Sequence, residues 1–148
     1  MITSRETIYA ALFTRLSGAA EFKIASRKLA HWSDVAAEEH PAIFQRQVSE
    51  DRISQRGVPP KIQLRVEIYV YVHTLAQQLD PAVTPAQLIN PLLDALDAAL
   101  VVDDMSNNVL TLGGLVSHCW VDGKTENFEG LIGDQAVAII PISILVPA

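Results

Sequence analysis

Four histidines, one cysteine and several paired acids are the residues of this chain that could do chemistry. His31, His40, His73 and His118 never pair with one another at i, i+3 or i, i+4, so they form no helical metal clip. His118 and Cys119 are neighbours in a stretch that reads as strand, where successive side chains point to opposite faces. They are therefore not placed to share a metal or to work as nucleophile and base. Cys119 reads as a small buried side chain. Asp94 and Asp97 stand at i, i+3 on a helical pattern, a spacing that could serve acid–base chemistry. They lie away from the leucine stripe, however, and read as a solvated outer face; Asp103-Asp104 and Glu38-Glu39 read the same way. Neither Gly113-Gly114 nor Gly130-Leu-Ile-Gly133 is followed by lysine or serine at phosphate-loop spacing, so glycine there serves turns or a bulge. Tyr69 and Tyr71 with Arg65 have the chemistry to stack on single-stranded nucleic acid. Glu67 lies between them and the chain is acidic. A second packing layer or a neighbouring subunit suits these tyrosines better. Trp32 and Trp120 read equally as core or interface. No catalytic, cofactor-binding or metal-binding set emerges, and the expectation is a non-enzymatic protein without a cofactor.

The tyrosines belong to the most regular stretch of the chain, Lys61-Ile-Gln-Leu-Arg-Val-Glu-Ile-Tyr-Val-Tyr-Val-His73. Every even position from 62 to 72 is Ile, Leu or Val, and the odd positions are polar or tyrosine. Such alternation predicts a strand with one face in a core. At the usual rise it would span about 40 Å, which demands partners along its length. It is expected at the centre of an antiparallel sheet, its aliphatic face under helices and its odd face towards something less dry.

The first helix is predicted from Thr3 and Glu6, spaced as a capping box, through a stripe of Ile8, Tyr9, Leu12, Phe13 and Leu16. Gly18 should stop it in a left-handed backbone. Residues 22–32 read as a strand, 33–40 as a connector and 42–50 as a second strand. The charged, proline-closed stretch 51–60 reads as a loop, and a hairpin joins the second strand to the long one. Residues 74–83 form a connection with a turn at Asp80-Pro81. Thr84, Pro85 and Gln87 mark a second helix start, with Leu88, Ile89, Leu92, Leu93 and Leu96 as its stripe. Pro91 either kinks this helix or sits in the first turn of one that begins at Asn90; a kinked helix is the reading adopted. Asp103 to Asn108 reads as a turn, 109–112 as a short strand, 115–122 as another, and 123–133 as a loop. Loops 51–60 and 123–133, rich in glycine, proline and charge, are expected to become ordered on docking. The last strand, 136–146, is apolar on both faces, and Pro141 within it should sit at a bulge or an edge. The sum is a single α+β domain, residues 1–148, with two helices packed on a four- to five-stranded, mainly antiparallel sheet in two layers.

The totals agree. The chain has 148 residues and a formal net charge of −6, which argues against clinging to nucleic acid or an anionic membrane. A single cysteine permits no internal disulfide and fits a reducing compartment. The first residues, Met-Ile-Thr-Ser-Arg-Glu, lack the basic stretch and apolar run of a signal peptide. No apolar run approaches the roughly 20 residues that span a bilayer, so no membrane partner is expected.

Several pieces in order look familiar. They are Ile8-Tyr-Ala-Ala-Leu-Phe13 running to Gly18, Arg27-Lys-Leu-Ala-His-Trp32 and Pro41-Ala-Ile-Phe44. Leu64-Arg-Val-Glu-Ile-Tyr-Val-Tyr-Val-His73 and Asn90-Pro-Leu-Leu-Asp-Ala-Leu-Asp-Ala-Ala-Leu100 follow, then Leu112-Gly-Gly-Leu-Val-Ser-His-Cys-Trp120 and the closing stretch from Asp134 to Pro147. In this series, which covers nearly the whole chain, the sequence resembles the tail-terminator (tail-completion, minor tail) proteins of long-tailed bacteriophages. The resemblance implies a virion structural protein whose α+β subunits form a ring, typically a hexamer, on the head-proximal end of the tail tube. Such a ring stops tube polymerisation and offers the head–tail joining surface. Its partners would be copies of itself, the tail tube protein and the head–tail connector, with genomic DNA passing through the channel without specific binding. Assembly would take place in the host cytoplasm. The family brings no catalytic residue to carry over. A neck or connector component of the same particle, and a ligand-binding α+β regulatory module, are the alternatives.

Overall fold

The alternating stretch forms most of the longest strand. In the computed structural model, which describes residues 3–77, 82–129 and 133–148, β3 (Val58–His73) lies between β2 (Ala42–Gln55) and β6 (Gln135–Pro147), antiparallel to both. The β3–β6 register is unbroken from Lys61↔Pro147 to His73↔Gln135. On the far side of β6 lie β4 (His118–Val121) and β5 (Glu126–Glu129), both antiparallel to it. β1 (Ile24–Ser26) runs parallel to the start of β2. The order is β1-β2-β3-β6-β4, with β5 also paired to β6. Among the described residues, six strands and two α-helices make an α+β fold on a mainly antiparallel sheet. The four to five strands expected become six because the outer edge is broken in two, with β5 in a stretch read as a loop.

The two faces of β3 are as unlike as its sequence. Ile62, Leu64, Val66, Ile68, Val70 and Val72 are buried, while Gln63, Arg65, Glu67, Tyr69 and His73 are half-buried and Tyr71 is buried on the second face. Burying six aliphatic side chains contributes on the order of 1.5–3 kcal/mol each. They pack with Ile8, Tyr9, Leu12 and Leu16 of α1 (Arg5–Ser17) and with Ile89 and Leu96 of α2 (Pro85–Ala99). The stripes read from sequence are the faces that pack, except that Phe13 of the first stripe lies outside the core and is only half-buried. Gln45, buried on β2, donates from Nε2 to the Tyr9 carbonyl at 2.9 Å and ties α1 to the sheet.

The helix ends differ in detail. Ser4, not Thr3, caps α1, its Oγ accepting from the Thr7 N–H at 3.2 Å. Gly18 follows α1 at φ −88°, so the helix ends in right-handed rather than left-handed backbone. A Cβ there would meet the Thr14 carbonyl oxygen at 3.2 Å. α2 begins as read, with a Thr84/Gln87 capping box and Pro85 in the first turn. Pro91 therefore lies inside the helix, and a start at Asn90 is excluded.

Four stretches differ from the pattern their sequence predicts. Residues 51–60 are not a loop: β2 runs on to Gln55, β3 resumes at Val58, and only Arg56-Gly57 turns, with Gly57 at φ +84°. Of residues 22–32 only 24–26 pair, and Trp32 opens a 3₁₀ turn, Trp32–Asp34. Residues 109–112 make a single bridge, Asp104↔Val109, instead of a strand. Residues 123–133 contain β5. The turn expected at Asp80-Pro81 lies outside the described residues, as do 130–132 of the last glycine stretch.

Pro141 meets its expected bulge, but in the neighbouring strand. Between Val121↔Ile142 and Glu126↔Ile139, residues 122–125 face only 140 and 141 of β6. The Pro141 carbonyl accepts from the Asp122 N–H at 2.9 Å, on the side where this break lies. A residue without an N–H costs no ladder bond where the partner strand has bulged away.

Candidate functional site

The second face of the sheet carries the features that could meet another molecule. Towards the C-terminal end of β3 it is apolar. Ala42, Phe44, Tyr71 and Val137 are buried there with Val35, and Ile24, Ala30, Trp32, Tyr69, Phe128 and Ile139 pack around them. The segment from Leu29 to Val35 lies across this face, and Tyr71 fastens it by donating its hydroxyl to the Ala30 carbonyl at 2.8 Å. Burial, with Tyr69 nearby, pushes the Tyr71 phenol up to about 12. The covering is incomplete. A groove of about 440 Å³ remains, its walls formed by Leu29, Trp32, Tyr69, Phe128, Val137 and Ile139.

Towards the other end the same face is polar. Arg46 pairs with Glu67 at 2.6 Å, and Tyr69 donates its hydroxyl to the same Glu67 oxygen at 3.1 Å. Arg65 reaches Asp51 at 3.0 Å. Gln63 donates to Ser143 Oγ at 3.0 Å, and Ser143 donates to Asp122 at 2.7 Å. Apart from Tyr69–Glu67, which lies within β3, these contacts cross from strand to strand and fix register at a partly wet surface. They satisfy one another across the face.

Next to this surface the β2–β3 hairpin stands open. Every residue from Arg46 to Pro60 is exposed. β6 pairs β3 only as far as Lys61, with one further bond from the Ala148 N–H to the Pro60 carbonyl. The tip thus reaches about 10 Å past the end of β6 at the normal strand rise. Seven large apolar side chains are exposed among the described residues. Three of them, Val48, Ile53 and Val58, are on this hairpin, and a fourth, Leu29, is at the groove. At its base Arg5 of α1 holds Glu50, with one bond of 3.0 Å.

Of the residues singled out for chemistry, His40 and His73 come together and line a second groove with Glu21 and Lys23, and the others are dispersed. Cys119 is buried in the helix-side core, and its thiol is pushed up to about 12 by burial. His118 is half-buried and stacks on Trp120 at 4.8 Å between ring centroids. His40 is buried, with Nδ1 on the Ala36 carbonyl at 2.8 Å, and burial lowers its pKa. Its ring meets that of His73 edge-on at 5.5 Å. The Leu75 N–H donates to His73 Nδ1 at 3.1 Å. His31 accepts from the Ser33 N–H at 3.2 Å and caps the Trp32 turn. Asp94 and Asp97 are exposed on α2. Asp103 accepts from the N–H groups of Thr111 and Gly113 at 2.7 and 3.0 Å, which hold its carboxyl down at about 2. Asp104 caps the next turn through Ser106 and Asn107. Among the described residues no group of three His, Cys, Asp or Glu side chains is arranged to hold a metal ion.

Sequence reading placed Tyr69 and Tyr71 on a second packing layer or an interface, and the layer is present as the 29–35 segment. It missed the groove, whose walls come from four separate stretches of chain. The only local signal was apolar residues, Leu29, Trp32 and Phe128, where no strand or helix period explains them. The sequence matches no protein-family model and no curated protein sequence at a significant level.

Proposed function

We propose that this chain is a structural subunit of a bacteriophage virion: a tail terminator that assembles into a ring on the head-proximal end of the tail tube. The ring stops polymerisation of the tube and presents the surface on which the head–tail connector docks. The carrying observation is the β2–β3 hairpin, in which fifteen consecutive residues, 46–60, are ordered as strand and turn yet exposed. A regular strand edge left open, with apolar side chains on it, favours association with another protein chain. The sheet beneath it is a rigid base tied to both helices. The family resemblance of the sequence supplies the identity of the assembly, and the exposed hairpin supplies a means of docking.

The test is electron microscopy of the purified protein alone, mixed with tail-tube protein, and in whole particles. Closed rings that bind one end of tail tubes are the expected result. Rings that bind the portal and ignore tubes would assign the protein to the neck. A monomer at high concentration, indifferent to either, would end the structural reading.

One observation favours a second reading. The groove of about 440 Å³ is within the size of small-ligand sites and is lined by aromatic and aliphatic side chains. A ligand-binding module would show a rise in melting temperature with an apolar metabolite, growing with ligand concentration.

A further inference from the structure

We infer that the apolar groove receives the β2–β3 hairpin tip of a second copy of this chain. The inference rests on the ring reading above and names the contact by which one subunit holds the next.

Three observations carry it. The first is chemical match. The tip ends in Val58-Pro59-Pro60, all exposed, and has Ile53 beside it. The groove offers Leu29, Trp32, Tyr69, Phe128 and Ile139, half-buried or exposed and without a covering layer. Proline and valine against aromatic walls is a low-entropy apolar contact, because neither side chain has many rotamers to lose.

The second is charge. From Arg52 to Lys61 the hairpin carries Arg52, Arg56 and Lys61 and no acid. None of the three makes an ion pair among the described residues. Taking three positive charges from a chain of net −6 leaves −9 on the remainder. The tip is thus a cationic point on an anionic body, attracted to the body of another copy. Asp34, two residues after Trp32, and Glu126, two before Phe128, are exposed carboxylates close in sequence to groove residues, with no ion pair among the described residues. Lys28 and Lys124 lie close to them in sequence, so charge acts at contact range only and the apolar match carries most of the contact.

The third is geometry. Val58 begins β3 and Tyr71 lies near its other end. Thirteen residues of strand separate them, about 40 Å at the usual rise. A tip cannot reach the groove of its own chain. The contact joins two different patches on two copies, which is the heterologous kind that closes into a ring or grows into a filament. The exposed apolar side chains of the hairpin favour this occupant over nucleic acid, whose phosphates would pair with the three cations and leave Val58, Pro59 and Pro60 idle.

The experiment uses the full chain. Cys119 is buried and serves as a silent background. A chain carrying both Pro59→Cys and Leu29→Cys is oxidised mildly and run without reductant; each single variant is the control. A ladder of covalent oligomers from the double variant, with nothing beyond dimer from either single one, is expected. In parallel, Val58→Ser combined with Arg56→Glu should weaken self-association at least tenfold by sedimentation, with an unchanged circular dichroism spectrum and melting temperature. Leu29→Asp, on the groove side, should do the same. Rings that persist in these variants without a cross-linked ladder overturn the tip-in-groove contact and leave the ring reading standing. A parent chain that stays monomeric at high concentration overturns both. Retention of DNA by the parent, lost in Arg52→Glu/Arg56→Glu while rings persist, reassigns the tip to nucleic acid and overturns the inference.

Discussion

Single side chains here hold backbone in place more than they perform reactions, and Asp103 is the clearest case. Its carboxylate accepts from the Thr111 and Gly113 N–H groups and from the Thr111 hydroxyl. The stretch it fastens contains Leu112 at φ 52° and Gly113 at φ 74°. Left-handed backbone at leucine is uncommon and needs its surroundings to hold it. The N–H groups favour the charged form, so the folded pKa lies near 2, below the ordinary value of 3.8. The contribution is therefore complete above the ordinary value and is lost as pH falls through about 2. Asp103→Asn should speed hydrogen exchange at the Thr111 and Gly113 amides at pH 7, and the ratio of variant to parent rates should shrink between about pH 4 and pH 2. Equal rates at pH 7 would show that the loop holds itself. Cys119 gives a second expectation. With its thiol near 12 and its side chain in the core, it should resist a thiol reagent at pH 8 in the native protein and react fully in denaturant. Fast native labelling would mean that the β4 edge opens readily.

Among the elements, stability and the proposed docking fall to different parts of the sheet. Leu12 is buried between α1 and the strands, so Leu12→Ala should cost about 2–5 kcal/mol in urea unfolding. Ile53 on the open hairpin is 40% exposed, and Ile53→Ser should change monomer stability by no more than about 0.5 kcal/mol. A large loss at Ile53 would place the hairpin in the folding core and weaken its case as a docking element. The same division explains what could be read from sequence. Positions 62–72 alternate because one face of β3 is buried, and the helix stripes repeat because each helix has a single core face; all of these were legible. The hairpin from 51 to 60 was not. With both faces in water it has no alternation to show, and Gly57, Pro59 and Pro60 carry the composition of a loop. β5 offers only Phe128 among four residues, too short for any period. Trp32 mimicked a strand residue at a spacing that a 3₁₀ turn also allows. The groove was invisible for a different reason, since Leu29, Tyr69, Phe128 and Val137 become neighbours only when β3, β6 and β5 are paired.

At the scale of the whole molecule, charge would set the terms of the proposed assembly. Each copy carries −6, and like-charged bodies repel at long range. Contacts between a cationic tip and a carboxylate act over a few ångströms. Salt separates the two. The screening length falls from about 30 Å at 0.01 M to about 8 Å at 0.15 M. That removes most of the repulsion between bodies and much less of a contact-range pair, and it leaves the apolar contact untouched. Self-association should therefore tighten as salt rises across this range. Binding to a polyanion through Arg52, Arg56 and Lys61 would weaken steeply over the same range, because salt competes with the counterions released. Sedimentation at several salt concentrations reads the sign directly. Tightening fits apolar docking between acidic copies, and steep weakening would mean that ion pairing alone holds the subunits and that the Val58-Pro59-Pro60 contact contributes little.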